Sequence, residues 1–220
     1  MPIYAIFLLT TLLIGLALNR YYSFKLFSRW RGFLAGFIVV IVPFLLWDVL
    51  ATRDGHWAFN SEYILGPKLF GLPIEEISFF FVVPFVMTAM WMLVHLKTAK
   101  GTLSIDRYTR AVFVLVFLSA YLSVYRPYTF IVTGVAVLFW LFSSRLYEYR
   151  SRQFWIFQFW LFTLFFISNT ILTAPAVVTY GEQAILGLRI GTIPIEDFLY
   201  NFILVNGFIF VFTRAEGLRS

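Results

Sequence analysis

Seven stretches of this chain are apolar over most of a membrane's thickness: 3–18, 33–51, 73–96, 110–126, 128–144, 154–172 and 194–213. Crossing a bilayer takes roughly 20 apolar residues. The shorter stretches therefore lean on aromatic residues at the polar boundary, such as Tyr21, Tyr22 and Trp30. Of the 220 residues, 61% are hydrophobic and 13% charged, against about 45–50% and about 25% in ordinary soluble domains. That balance excludes disorder, and a domain of this length has too little interior to hide so much apolar surface from water. The expected fold is an all-α polytopic membrane protein with seven transmembrane helices. The first segment does not read as a signal peptide, because no Lys or Arg precedes it and Ala17-Leu18-Asn19 runs straight into a basic loop. Cysteine is absent, so disulfides and thiolate metal sites are excluded.

The charges orient the helices. Thirteen Lys and Arg fall in loops 19–32, 97–110 and 145–153 and at the C-terminal end, and only Arg53, Lys68, Arg126 and Arg189 fall on the other side. By the positive-inside rule the N-terminus is expected outside and the C-terminus in the cytoplasm. The net charge of +6 is then a topology signal, with no nucleic-acid partner expected. Acidic residues do the reverse. Asp48, Glu75, Glu76, Glu196 and Asp197 lie inside or at the mouths of apolar segments on the outer side, where a carboxylate costs about 2.5–3.5 kcal/mol on insertion scales.

Four of these acids belong to a repeat. Residues 64–76 recur ungapped at 185–197, an offset of 121, with six of thirteen positions identical. At the same offset Asp48 meets Asn169, Phe79 meets Tyr200, and Thr52 meets Thr173. The offset maps helices 1–3 onto helices 5–7 and leaves the fourth unpaired. The expected organisation is a first three-helix repeat at 1–97, a linker with the fourth helix at 98–127, and a second repeat at 128–220. The extra helix restores parity, so both copies run the same way and their acidic motifs open on one side, as in parallel repeats.

Pro73 and Pro194 suit a first helical turn, with fixed φ and no N–H to leave unpaired. Glu75-Glu76 and Glu196-Asp197 follow in that turn, where the helix dipole favours carboxylates. Plain capping is one reading of such a motif. A catalytic site is the other, because neighbouring helical residues diverge by about 100°, so one acid of each pair can face a cavity. Clustered carboxyls in an apolar site hold protons. Phe79 and Tyr200, on the same helices, could stabilise a cation, although most of the 28 Phe have only packing or lipid contact to make. Asp48 is a candidate third acid, its alternative being an interhelical hydrogen bond. Lys68 and Arg189 precede the motifs at equal spacing and either pair with the acids or sit at the interface.

These paired Pro-Ile-Glu-Glu and Pro-Ile-Glu-Asp motifs, each leading a helix of a three-helix unit, resemble the carotenoid (lycopene) cyclases of the heterodimeric type, in their fused form, over nearly the whole chain. The resemblance implies a lycopene β-cyclase-type intramolecular lyase or isomerase. Its reaction is proton-initiated closure of lycopene's linear end groups to ionone rings, expected to be β, without net redox. Carried over, the motif positions are Pro73, Glu75, Glu76, Pro194, Glu196 and Asp197, with the four acids catalytic and the prolines structural. Asp48, Asn169, Phe79 and Tyr200 are added from the repeat as substrate- or cation-contacting residues. A linear carotenoid, the lipid bilayer and other carotenoid-pathway membrane enzymes are the implied partners, and the plasma membrane the implied location. No Gly-x-Gly-x-x-Gly is present and the two histidines, His56 and His95, lie near opposite sides, so no cofactor and no metal is expected. A small transporter using intramembrane carboxylates is the rival reading. A retinal protein is excluded because 194–213 offers no Lys for a Schiff base.

Overall fold

The computed structural model describes residues 2–103, 115–116, 124–143 and 147–218. Six long helices dominate it: α1 (Ile3–Tyr21), α2 (Trp30–Arg53), α3 (Ile74–Lys97), α4 (Pro127–Ser143), α5 (Arg152–Thr173) and α6 (Ile195–Ala215). Five of them, all but the shorter apolar α4, are long and apolar enough to cross a membrane. The fourth expected segment, 110–126, falls mostly outside the described residues.

Helix boundaries follow local chemistry. Helix α4 begins at Pro127, a residue whose missing N–H costs nothing in a first turn. Helix α5 begins two residues before the apolar run, because Ser151 caps it by accepting from the Phe154 N–H. Within α2, residues 37–41 form one wide π turn directly before Pro43. Pro43 cannot donate to the carbonyl four residues back, and its ring would crowd that carbonyl. The wide turn accommodates both effects without breaking the helix.

Helix α6 is the most enclosed and forms the axis of the packing. Helix α2 lies close against it through Gly32 and Gly36, where an added Cβ would fall 2.6 Å and 2.5 Å from the rings of Phe212 and Phe208. The same two helices are tied at the far end, where Glu216 accepts from the Gly32 N–H at 2.7 Å. Helix α1 packs on α3, Gly15 facing Val86 and Phe85.

Three two-stranded ribbons, unforeseen in an all-α reading, close one end of the bundle. Strands of two or three residues carry no alternation by which a sequence could announce them. Strand β1 (Trp57–Phe59) pairs antiparallel with β4 (Val178–Tyr180). Strands β2 (Lys68–Leu69) and β3 (Leu72–Pro73) form a hairpin before α3, as β5 (Arg189–Ile190) and β6 (Ile193–Pro194) do before α6. The hairpins have the same register, Lys68 opposite Pro73 and Arg189 opposite Pro194. The first turns through Phe70 and Gly71, both at positive φ, and the second has positive φ at Gly191. Such two-residue turns match the twist of the strands they join.

The hydrogen bonds recur at the sequence offset. The Ile74 and Ile195 N–H groups donate to Pro67 and Leu188 carbonyls, and His56 and Val177 N–H groups to Ala51 and Leu172 carbonyls. Ala58 faces Thr179, and the bonds flanking that pair, Asn60 N–H to Val177 and Gly181 N–H to His56, are both 2.9 Å. The β1–β4 ribbon thus has a local two-fold through Ala58 and Thr179.

Candidate active site

Behind the β1–β4 ribbon lies a cavity of about 90 Å³. The helix ends that meet there are the starts of α1, α3, α4 and α6 and the ends of α2 and α5. Three carboxyl groups reach it: Asp48 from α2, Glu76 from α3 and Asp197 from α6. Asn169, Phe79 and Tyr200 line it as well, so six of the eight side chains proposed from sequence for chemistry or contact share one space.

The remaining two do not. Glu75 and Glu196 are buried but point away from the cavity into the loops that precede their helices. The Glu75 carboxylate accepts from the Leu65 N–H at 2.5 Å. Glu196 accepts from the Leu186 N–H at 2.7 Å and from the Thr129 hydroxyl at 2.6 Å. Neither caps its own helix. Each holds a ten-residue loop, hairpin included, against the helix start, and so fixes which way the next acid faces. Pro73 and Pro194 serve the same register, being buried at the ends of β3 and β6 and standing at the N-caps of α3 and α6.

The cavity acids have different company. Asp48, 1% exposed, accepts from the Trp57 indole N–H at 2.7 Å and lines the cavity together with Glu76. Glu76 also accepts from the Tyr4 hydroxyl at 2.5 Å. Asp197 accepts from three donors: the Tyr128 hydroxyl at 2.7 Å, the Asn169 amide at 3.0 Å, and the Tyr180 hydroxyl. Tyr180, in β4, keeps its proton, since burial and then the neighbouring Asp197 push its hydroxyl above the ordinary tyrosine value. No described Lys or Arg forms an ion pair with these acids. Lys68 is exposed, and Arg189 bonds the Thr192 carbonyl and lies over the Tyr180 ring.

Aromatic rings wall the site. Trp57 packs edge-on to Tyr128 at 5.0 Å between centroids, and Tyr200 meets both Phe44 and Trp47 at 5.0 Å. Their faces offer the electron density that stabilises a cation in a dry site. Among the described residues no three His, Cys, Asp or Glu side chains are disposed to hold a metal ion.

Four contributors escaped the sequence reading: Tyr4, Trp57, Tyr128 and Tyr180. Tyr4 and Tyr128 occupy matching places, their N–H groups bonding the carbonyls of Tyr63 and Ala184, which are themselves 121 apart. Yet the tyrosines are 124 apart. The three-residue shift falls between α4 and α5, so a fixed offset sets Tyr4 against the exposed Tyr125 instead.

The lycopene cyclase family model matches residues 2–94 and 122–215. Curated relatives are bifunctional lycopene cyclase/phytoene synthases of fungi. The protein from Neurospora crassa is 30% identical over 86 residues, 38% of this chain and 14% of its own. That from Podospora anserina is 29% identical over 79 residues, 35% and 13% respectively. That from Leptosphaeria maculans is 38% identical over 59 residues, 27% and 10%. The matched stretches span only about a seventh or less of these relatives' length. No solved structure matches the chain. With most of its length matched, and with apolar helices consistent with a membrane protein, the chain belongs to the lycopene cyclase family and to carotenoid biosynthesis.

Proposed function

We propose that the chain is an integral-membrane lycopene cyclase that closes linear carotenoid end groups to β-ionone rings without net redox. The observation that carries this reading is the convergence of Asp48, Glu76 and Asp197 on one small aromatic-walled cavity. Ring closure needs a proton on the terminal double bond, attack by the neighbouring double bond on the tertiary cation, and loss of a different proton from the new ring. In this reading the neighbouring carboxyls Asp48 and Glu76 hold the proton that starts the reaction, with Glu76 the donor. Asp197, already satisfied by three donors, stays acceptor-only and collects the departing proton. Trp57, Tyr128 and Tyr200 face the cation, and Asn169 orients Asp197. Glu75 and Glu196 act as positioning residues through the loops they brace.

The proposed setting is the plasma membrane, with the N-terminus outside. Seven spans form two parallel three-helix repeats, 1–97 and 128–220, joined by an extra helix within 98–127. Support comes from the ends: α3 finishes beside the start of α5, where Gln153 bonds the His95 and Thr98 carbonyls. Helix α4, by contrast, starts at the cavity, which is the arrangement an extra crossing between α3 and α4 calls for. Other carotenoid-pathway membrane enzymes are natural neighbours for a substrate confined to lipid.

The test is ring formation in heavy water. A carboxyl donor exchanges with solvent, so each new ring carries one non-exchangeable deuterium. A product with rings and no deuterium would remove Glu76 and Asp48 from the donor role.

A further inference from the structure

A second space adjoins the acid cavity. It is an apolar groove of about 590 Å³ between α1, α3 and α5, and it shares Phe79 and Phe165 with the cavity. Along α1 it runs from Ile3 to Leu18, about 22 Å at 1.5 Å per residue, which is most of a hydrocarbon core of about 30 Å. Its flank is open, with Ile6, Ile14 and Ile167 47%, 54% and 55% exposed. Building on the cyclase reading above, we infer that this groove seats the polyene arm of the carotenoid, which enters sideways from the lipid and stands along the bilayer normal with one end group in the acid cavity.

Two further observations favour a polyene there. Apolar troughs of about 450 and 410 Å³ also run beside α2 and α3. Neither shares a residue with the acid cavity, so of these three apolar spaces the groove at α1, α3 and α5 is the one that adjoins it. Asn201 lies on the groove one helical turn past Asp197. It is 5% exposed, and its amide nitrogen has no hydrogen-bond partner. The polar hydroxyls beside it are already committed, Thr10, Thr11 and Ser168 each bonding a carbonyl of its own helix. A saturated acyl chain offers a buried N–H nothing, whereas a conjugated chain presents a π face to it. One groove for one rod also means that the two ends of a carotenoid react in separate visits. The first ring must leave the cavity and the molecule turn end for end before the second can form.

The test fills the groove. Thr11→Trp and Ser168→Trp, with the milder Ser168→Leu in case a tryptophan prevents folding, are compared with Leu34→Trp, which fills a trough away from the cavity. Each is made in the unaltered chain and again with Glu76→Gln, which holds substrate without turning it over. The proteins are purified from cells that make lycopene. The expected result is at least about tenfold less lycopene retained per protein for the α1 and α5 variants, a parallel fall in ring formation in the unaltered background, and no change for Leu34→Trp. Retention and ring formation unchanged in the folded groove variants, or lost with Leu34→Trp alone, would overturn the inference and leave the groove to lipid. If the unaltered chain closes no rings, the cyclase reading fails by itself, and lycopene retention still decides the groove.

Discussion

Adjacent glutamates in one helical turn should respond in opposite ways to the same change. Glu76→Gln removes a proton and little else, since the amide oxygen can still accept from Tyr4. A general acid contributes about 10²–10⁴ in rate, so turnover should fall by that factor, about 2.7–5.4 kcal/mol of barrier at about 1.36 kcal/mol per tenfold. Glu75→Gln also keeps an acceptor for the Leu65 N–H, now 2.5 Å from the carboxylate. The exchange is of a charge-assisted bond for a neutral one, about 1.5–3 against about 0.5–1.5 kcal/mol, so the loss is about 1 kcal/mol of stability and turnover per folded molecule stays near normal. Initial rates on lycopene, read by chromatography of the products, and thermal unfolding of the same detergent-purified samples separate the two effects. Glu75→Gln as inactive as Glu76→Gln at unchanged stability would refute the division of labour, and so would near-normal turnover of Glu76→Gln.

Two substitutions test the packing and the ribbon end. Gly36→Ala sets a methyl group 2.5 Å from the Phe208 ring and should cost about 1–3 kcal/mol as overpacking, whereas Gly134→Ala, with nothing within 4 Å, should gain a few tenths to about 1 kcal/mol; equal thermal midpoints for the two would contradict the close α2–α6 approach. Burial holds His56 below its ordinary value of 6.5, so the unfolded chain takes up that proton more readily, and stability should be full above about pH 6.5 and fall on acidification; His56→Gln should flatten the slope between pH 7.5 and 5.

The six described helices were legible because apolar runs of this length allow little else, and the acidic motifs were legible because they repeat. Which acid of each pair faces inward was not. That choice is made by the Leu65–Glu75 and Leu186–Glu196 bonds, which depend on the length of the loop and hairpin rather than on the motif. Trp57 and Tyr180 reach the cavity from strands too short to leave a periodic trace. Tyr128 was hidden by the three-residue shift, since a repeat sought at one offset finds only the segments that have kept it.

The two halves of the cavity are related in backbone and opposed in chemistry. At positions 121 apart, Asp48 stands against Asn169, Trp57 against Val178, Phe59 against Tyr180, and Phe79 against Tyr200. The first half gathers two carboxyls; the second surrounds one carboxyl with donors. An acid and a base are what a two-fold site cannot supply while it remains symmetric, and the proposed division of roles rests on these differences. Asn169→Asp turns a donor at 3.0 Å from Asp197 into another carboxyl. The lost charge-assisted bond is worth about 1.5–3 kcal/mol, so turnover should fall about tenfold or more. Adding Asp48→Asn transposes that one pair between halves. If a single pair decided which half is the acid, the double variant would regain activity with the roles exchanged. Because Trp57, Tyr180 and Tyr200 stay where they are, the double variant should instead be no more active than Asn169→Asp alone. Initial rates for the two single variants and the double measure this directly, and recovery of activity in the double would show that the asymmetry resides in Asp48 and Asn169 alone.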